Sequence, residues 1–186
     1  MNNELMFSSE TGMWSTPRDF YAHVDRLFGP FTLDAAATLE DTCCKYFISK
    51  EADALADSIY WPGVVWLNPP YGRGIGAWVE KAKMETQDPS GKASRVVCLI
   101  PARTDTLWWN DHVIKANIIL FIKGRLKFGN ATASAPFPSA LAIFDRSPSP
   151  TLPKARGRKS KINRRVGTIT RDGEIDIIAG PKLKGV

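Results

Sequence analysis

The chain has 186 residues, of which 44% are hydrophobic, 24% charged and 10% aromatic, and its formal net charge is +6. This length and composition fit one globular domain with a small appendage and exclude collagen-like, coiled-coil and wholly disordered chains. Apolar runs stay below the roughly 20 residues that span a bilayer, the N terminus lacks a basic signal head, and the three cysteines form no CxxC metal site. We therefore expect a protein of the reducing cytoplasm that binds neither a membrane nor a metal.

Helices and strands alternate along most of the chain. A helix is predicted to begin at Thr16-Pro17 and to end at Gly29-Pro30. Apolar runs predict strands at residues 31–34, 64–67, 95–100, 116–122 and 139–144. Further helices are predicted at residues 76–83 and 108–113. This alternation predicts the α/β class, with a largely parallel sheet that carries helices on both faces.

Two polar clusters directly follow predicted strands, where ligands bind in sheets of this kind. The first is Leu33-Asp34-Ala35-Ala36-Ala37-Thr38, at the expected junction between a strand and a helix. Its small side chains let a ligand approach the backbone, and Asp34 can bind a charged or hydroxylated group. The alternative is that Asp34 only caps the following helix.

The second cluster is Asn68-Pro69-Pro70-Tyr71. Its two prolines fix φ and remove two backbone donors, which leaves a rigid turn rich in acceptors. The Asn68 side-chain oxygen and the Pro69 carbonyl can accept both hydrogens of a planar amino group, while the Tyr71 ring stacks on the attached ring system. The cluster therefore predicts a site that directs an amine lone pair at an electrophile; a plain Pro-Pro loop is the alternative.

The C-terminal fifth of the chain holds the whole basic excess. Residues 146–186 carry 11 Lys and Arg but three Asp and Glu. Three prolines within residues 147–153 predict a linker, and residues 166–170 and 174–178 flank a turn signal that predicts a β-hairpin. We expect a body at residues 1–145, a basic linker at 146–165 and a small hairpin tail at 166–186. The cations of the linker suit phosphate binding; a solubilising tail is the alternative.

Asn68-Pro69-Pro70-Tyr71 resembles the catalytic motif of amino-methyltransferases, which carry Asp, Asn or Ser before Pro-Pro and an aromatic residue. Residues 14–144 as a whole resemble the phage-type, Dam-like DNA N-6-adenine methyltransferases. The matching segments, in order, are residues 14–17, 34–37, 51–55, 68–71, 100–109, 124–128 and 137–139. The resemblance implies a Rossmann-like methyltransferase fold, S-adenosylmethionine as methyl donor, and the exocyclic amine of a flipped adenine in double-stranded DNA as acceptor. It also implies that the protein works in the cytoplasm of a bacterial host. One departure is that Ala-Ala-Ala replaces the usual glycine-rich turn.

The resemblance also assigns site residues. The catalytic set is Asn68, Pro69, Pro70 and Tyr71. The cofactor set is Trp14, Thr16, Pro17, Asp34, Ala35, Ala36, Asp53 and Asn68. For Trp14 a staple onto the first helix is the alternative, and for Asp53 an ordinary exposed acid.

Position and charge predict the DNA-binding set. Tyr71 is the stacking residue, with Phe137 a weaker candidate. The expected phosphate contacts are Arg73, Arg103, Arg125, Lys127, Arg156, Arg158 and Lys159. For the first four an ordinary surface charge is the alternative. Only 33 residues separate Asp34 from Asn68, so no target-recognition domain fits between them.

Other functions stay open. The acceptor can instead be cytosine N4, a guanine N2 in RNA or a protein glutamine amide, and a non-catalytic nucleic-acid-binding module is a further alternative. Asn68 favours adenine over cytosine N4, for which Ser is more usual in the family. The basic C-terminal segment favours nucleic acid over protein.

Overall fold

The computed structural model describes residues 14–129, 131–146 and 164–180. The described strands are β1 Leu33–Asp34, β2 Tyr46–Phe47, β3 Gly63–Leu67, β4 Ala93–Pro101, β5 Ile118–Ile122, β6 Ser139–Asp145, β7 Arg165–Ile169 and β8 Ile175–Ala179. The α-helices are α1 Arg18–Phe28, α2 Ile75–Gln87 and α3 Leu107–Asp111. Two 3-10 turns, Lys50–Ala52 and Val113–Lys115, complete the described elements. The α/β class is confirmed.

All eight described strands belong to one sheet, in the order β2-β1-β3-β4-β6-β5-β7-β8. Strand β6 pairs antiparallel with both of its neighbours, β4 and β5, and β8 pairs antiparallel with β7. The other pairings are parallel. The prediction of a largely parallel sheet is therefore confirmed only in part: six of the eight described strands run in one direction, but β6 and β8 run against them, so the sheet is mixed. The reason is that the described residues between β5 and β6 form no crossover helix, so the chain returns antiparallel to β5.

Alternate side chains of the central strands face two core layers. Val65, Leu67 and Cys98 pack with α2 on one face of the sheet. Trp66 and Leu99 pack with α1 on the other face, beside Phe20, Val24 and Phe28 of that helix. Since a strand buried on both faces needs apolar residues at every position, the continuous runs in β3 and β4 follow directly. Helices on both faces are confirmed.

The connection from β1 to β2 differs from the predicted one. Residues 35–45 contain turns and bends but no helix. The Asp34 carboxylate accepts hydrogen bonds from the backbone N–H groups of Ala36 and Cys43, 3.4 and 3.1 Å away, and so holds this segment as a loop. The alternative in which Asp34 caps a helix is therefore wrong.

The C-terminal strands continue the main sheet. Strand β7 pairs parallel with β5 from Arg165 to Ile169, and β8 returns antiparallel to β7. The turn between them contacts α1, where His23 Nδ1 lies 3.0 Å from the carbonyl oxygen of Arg171. Most of the predicted linker, residues 147–163, lies outside the described residues, and the division of the chain at residues 145 and 165 stays a prediction.

Ile169 tests whether these strands share the core. Its side chain is fully buried, so Ile169→Ala is expected to lower the free energy of unfolding by about 2–5 kcal/mol. The control Ile178→Ala, at a residue of β8 that is 69% exposed, should change it by less than about 0.5 kcal/mol. Urea denaturation measures both values. Equal effects of the two substitutions would contradict the shared core.

Candidate active site

The site lies at the carboxyl edge of the sheet, where β1 ends at Asp34 and β3 is followed by Asn68. These two strands are neighbours and run parallel, so the two polar clusters come together. They border a small open cleft. Seven of its lining residues belong to the predicted catalytic or cofactor sets, namely Trp14, Thr16, Asp34, Ala36, Asn68, Pro69 and Pro70. Ala37 and Asp41 complete the lining.

The side-chain amide of Asn68 has a fixed orientation. Its nitrogen donates hydrogen bonds to the Trp14 carbonyl oxygen and to Thr16 Oγ1, the latter at 3.1 Å. Because a carbonyl can only accept, the nitrogen must face Trp14 and the oxygen must face the other way. That oxygen, Oδ1, is buried and has no hydrogen-bond partner among the described residues. Asn68 therefore offers a desolvated, unpaired acceptor.

Thr16 links this amide to the core. Its hydroxyl accepts a hydrogen bond from Trp66 Nε1 at 3.3 Å as well as the one from Asn68. Trp66 is fully buried and Thr16 is 8% exposed. The segment before α1 is thereby held against β3, and it positions Asn68 through groups that solvent does not reach.

Tyr71 lies in a cluster of four rings, called here the aromatic cluster: Trp14, Tyr71, Phe128 and Phe137. Its ring stacks on Trp14 at 28° with centroids 6.5 Å apart, and it meets the edges of Phe128 and Phe137 at 6.0 and 5.5 Å. The hydroxyl donates to the Leu99 carbonyl at 3.1 Å. Burial raises the pKa of Tyr71, so the phenol stays neutral and keeps this bond. The recorded ring contacts of Trp14 lie within the aromatic cluster rather than on α1.

Asp34 is a buried acid without a cationic partner in the cleft. Its side chain is 3% exposed, and desolvation raises its pKa to about 6 although two backbone N–H groups oppose the shift. Asp41 adds a second carboxyl, and none of the nine lining residues is basic. Carboxylates in such a place favour a cationic ligand, because a cation restores the stabilisation that water supplied.

Three predicted cofactor residues lie outside the lining of the cleft. Ala35 is fully buried in the core layer that packs on α2. Pro17 is half-buried and precedes α1 as its N-cap. Asp53 is exposed, and its carboxylate accepts the backbone N–H of Leu55 at 3.3 Å. Their roles stay predictions.

The predicted DNA-binding cations are exposed wherever they are described. Arg73 follows the Pro-Pro turn and Arg103 follows β4, so both stand at the carboxyl edge. Arg125 and Lys127 are also exposed, in the segment after β5. Arg156, Arg158 and Lys159 lie outside the described residues.

Sequence reasoning missed Asp41, and it included Ala37 in the cluster at residues 33–38 without assigning it to the cofactor set. The Asp41 carboxylate accepts bonds from the backbone N–H of Thr38 at 2.7 Å and from its hydroxyl at 3.1 Å. This turn places both residues beside Asp34. The only sequence signal was an acid three residues after Thr38, and the expected helix concealed it. Among the described residues no three His, Cys, Asp or Glu side chains are placed to hold a metal, and no helix is long and apolar enough to cross a bilayer.

Comparison with known proteins identifies the family. The DNA N-6-adenine-methyltransferase of Escherichia phage T1 is 34% identical over 117 residues, which cover 61% of this chain and 46% of that relative. The match thus spans about half of the relative's length. The sequence pattern of the DNA N-6-adenine-methyltransferase (Dam) family matches residues 5–150, a range that contains every residue of the cleft. The chain therefore belongs to the DNA N-6-adenine-methyltransferase (Dam) family.

Proposed function

We propose that the chain transfers the methyl group of S-adenosylmethionine to the N6 amine of an adenine flipped out of double-stranded DNA, on a Rossmann-like methyltransferase fold. The observation that carries this proposal is the orientation of Asn68. Its amide nitrogen is held by Trp14 and Thr16, and its oxygen is left unpartnered among the described residues.

An aromatic amine is a poor nucleophile because its lone pair is delocalised into the ring. Asn68 Oδ1 accepts one amine hydrogen and the Pro69 carbonyl the other, and together they favour a nitrogen whose lone pair leaves the ring plane. Both acceptors are fixed before the substrate binds, so positioning and electrostatics supply most of the rate. The alternatives with other planar amines use the same two acceptors and differ only in the ring that is bound.

The cleft fits S-adenosylmethionine by its donor set. Asp34 and Asp41 would hold the cationic groups of the cofactor, while Ala36 and Ala37 leave the backbone open to it. When bound, the cofactor supplies a methyl group attached to a cationic sulfur. We further propose that Asp53 contacts the adenosine part of the cofactor. Pro17 and Ala35 would contribute to cofactor binding through the shape of the loops that contain them.

The DNA side of the proposal rests on charge and stacking. A flipped base loses its neighbours in the stack, and the Tyr71 ring would replace part of that contact. Arg73, Arg103, Arg125 and Lys127 would meet phosphates at the carboxyl edge. The substrate would then be DNA in the cytoplasm of a bacterial host.

A labelled-methyl assay tests this function and the role of Asn68. Wild-type protein, S-adenosylmethionine and DNA of mixed sequence are incubated, and the DNA is digested to nucleosides; N6-methyl-deoxyadenosine is the expected product. Asn68→Ala should lower the methylation rate at least about 100-fold while the Kd for the cofactor stays within a few-fold.

Two further variants sharpen this assay. Asn68→Asp should also be inactive, although Asp occupies this position elsewhere in the motif, because a carboxylate has no hydrogen to donate to the Trp14 carbonyl. Gln87→Ala, which removes an exposed amide at the far end of α2, should match the wild type. If the labelled methyl group were found on cytosine, or if the DNA carried no label, adenine would be refuted as the acceptor. Wild-type activity of Asn68→Ala would refute the role of Asn68.

Asp34 links cofactor binding to stability. Folding raises its pKa from 3.8 to about 6, so the folded chain binds this proton more tightly than the unfolded chain, and the free energy of unfolding falls as pH rises from about 4 to about 6. At neutral pH, a pKa shift of this size lowers the free energy of unfolding by about 3 kcal/mol. The Asp34→Asn variant avoids this loss but gives up one backbone hydrogen bond, which costs about 1 kcal/mol. Asp34→Asn should therefore stabilise the free protein by about 2 kcal/mol at pH 7.5, and this gain should vanish below pH 4.

The same variant should bind S-adenosylmethionine more weakly, because the partner of a cation is lost. Asp57→Asn removes an exposed acid outside the cleft and should change neither property. Calorimetric titration and urea denaturation across pH measure the two effects. A pH-independent stability difference would contradict the buried-acid explanation.

The basic segment before β7 is tested by salt dependence. Arg156→Ala/Arg158→Ala should lower the slope of log K for DNA against log salt by about 2, if each cation neutralises one phosphate. The control Lys92→Ala/Lys115→Ala removes two exposed cations that precede β4 and β5, at the opposite edge of the sheet, and should leave the slope unchanged. Equal slopes for all three proteins would refute phosphate contacts by these arginines.

A further inference from the structure

Ser139 has an unexplained buried hydroxyl. It is the first residue of β6, where it pairs with Pro101 at the end of β4. The residue is 2% exposed, and its Oγ has no hydrogen-bond partner among the described residues. A buried hydroxyl without a partner destabilises the folded state, so its presence calls for a physical reason.

The position of Ser139 relates it to Asn68. Strand β4 lies between β3, which Asn68 follows, and β6, which Ser139 begins. Because side chains alternate between the two faces of a sheet, Ser139 lies on the same face as Leu141, and Asn68 lies on the same face as Trp66. Leu141 and Trp66 both pack in the core layer that holds the aromatic cluster. The two polar groups therefore stand on one face of the sheet, at its carboxyl edge, two strands apart and offset by two residues along the strands. Their backbones are about 12 Å apart.

Tyr71 lies between these two groups. It follows Asn68 in the chain, its hydroxyl reaches the Leu99 carbonyl on β4, and its ring is 5.5 Å from that of Phe137, two residues before Ser139. A base stacked on Tyr71 with its amine at Asn68 would have its opposite side turned toward Ser139. In adenine the ring nitrogen N3 lies across the six-membered ring from the carbon that carries the amine, so N3 is the acceptor turned toward Ser139.

We propose that Ser139 Oγ donates a hydrogen bond to a ring nitrogen of the target adenine and so helps to hold the base at the site. This inference rests on the proposed function. Ring nitrogens of adenine accept hydrogen bonds, and a serine hydroxyl can rotate to donate one. The half-buried Phe137 ring must move aside to admit the base, and the base then supplies the partner that Ser139 lacks.

The test combines Ser139→Ala with substrates that lack single ring nitrogens. Single-turnover methylation is measured on DNA with adenine, 3-deazaadenine or 7-deazaadenine at the target position. Ser139→Ala should methylate the adenine substrate about 10-fold more slowly than wild type. With one of the two analogues the methylation rate of the wild type should fall by a similar factor. The rate of Ser139→Ala should not fall further with that analogue, because the hydrogen bond is already absent.

Stability separates this role from simple packing. Ser139→Ala should melt at the wild-type temperature or above it, since it removes an unsatisfied polar group; a packing residue would melt lower. Thr168→Val is the matched control, because Thr168 Oγ1 is also buried without a partner among the described residues but lies on β7 opposite Phe121, and it should leave all methylation rates unchanged.

The outcomes are distinct. The role of Ser139 would be overturned if Ser139→Ala methylated adenine at the wild-type rate. It would also be overturned if the rate losses caused by the substitution and by the analogue multiplied for both analogues. Either result would leave the proposed function standing. Failure of the wild-type protein to methylate any adenine substrate would overturn the proposed function, and this inference with it. Non-additive losses with one analogue support the assignment and identify the nitrogen.

Discussion

The hydrogen bond from the Asn68 side chain to the Trp14 carbonyl is the constraint on which the site depends. It joins residues 54 positions apart in sequence and ties the segment before α1 to the end of β3. Without it the amide could turn over and present its nitrogen to the substrate, which would remove the acceptor. Thr16 makes the arrangement rigid, because its hydroxyl is also bonded to the fully buried Trp66. The orientation of one amide thus follows from the packing of the core.

Three groups at this edge of the sheet oppose folding rather than favour it. Asn68 Oδ1 and Ser139 Oγ are buried without partners among the described residues, and Asp34 is a carboxyl whose pKa burial raises. Each would be more stable in water or as an apolar residue. Such exceptions concentrate at functional sites because a ligand supplies the missing partner. Two of the four buried side-chain atoms without partners among the described residues lie at this edge, while His112 Nδ1 and Thr168 Oγ1 lie before β5 and on β7. The edge differs from those two places because it also holds the buried carboxyl of Asp34.

Local pattern was sufficient for part of this structure. The buried runs of β3 and β4 and the Pro17–Gly29 limits of α1 depend on neighbours in sequence, and those predictions are confirmed. The direction of β6 is not encoded in its apolar run, and the pairing of β7 with β5 depends on residues far apart. The loop after Asp34 also has a nonlocal cause: three alanines favour a helix, but the Asp34 carboxylate binds the N–H of Cys43 nine residues on. Asp41 could not be assigned to the cleft without that loop.

The return of β7 to the main sheet limits what the basic segment can do. Its two anchors are Asp145 at the end of β6 and Arg165 at the start of β7, and both lie at the edge opposite the cleft, since Arg165 pairs with the first residue of β5. At about 3.3 Å per residue, the middle of the segment can extend roughly 30 Å from either anchor. Strand β6, with seven residues, is about 23 Å long. On the proposed function, chain length therefore allows cations near residues 154–159, but not those beside the anchors, to reach DNA bound at the cleft. The proposed phosphate contacts of this segment are therefore restricted to its centre, and the carboxyl-edge segments that follow β3, β4 and β5 are the described parts of the chain that the proposal places next to the target base.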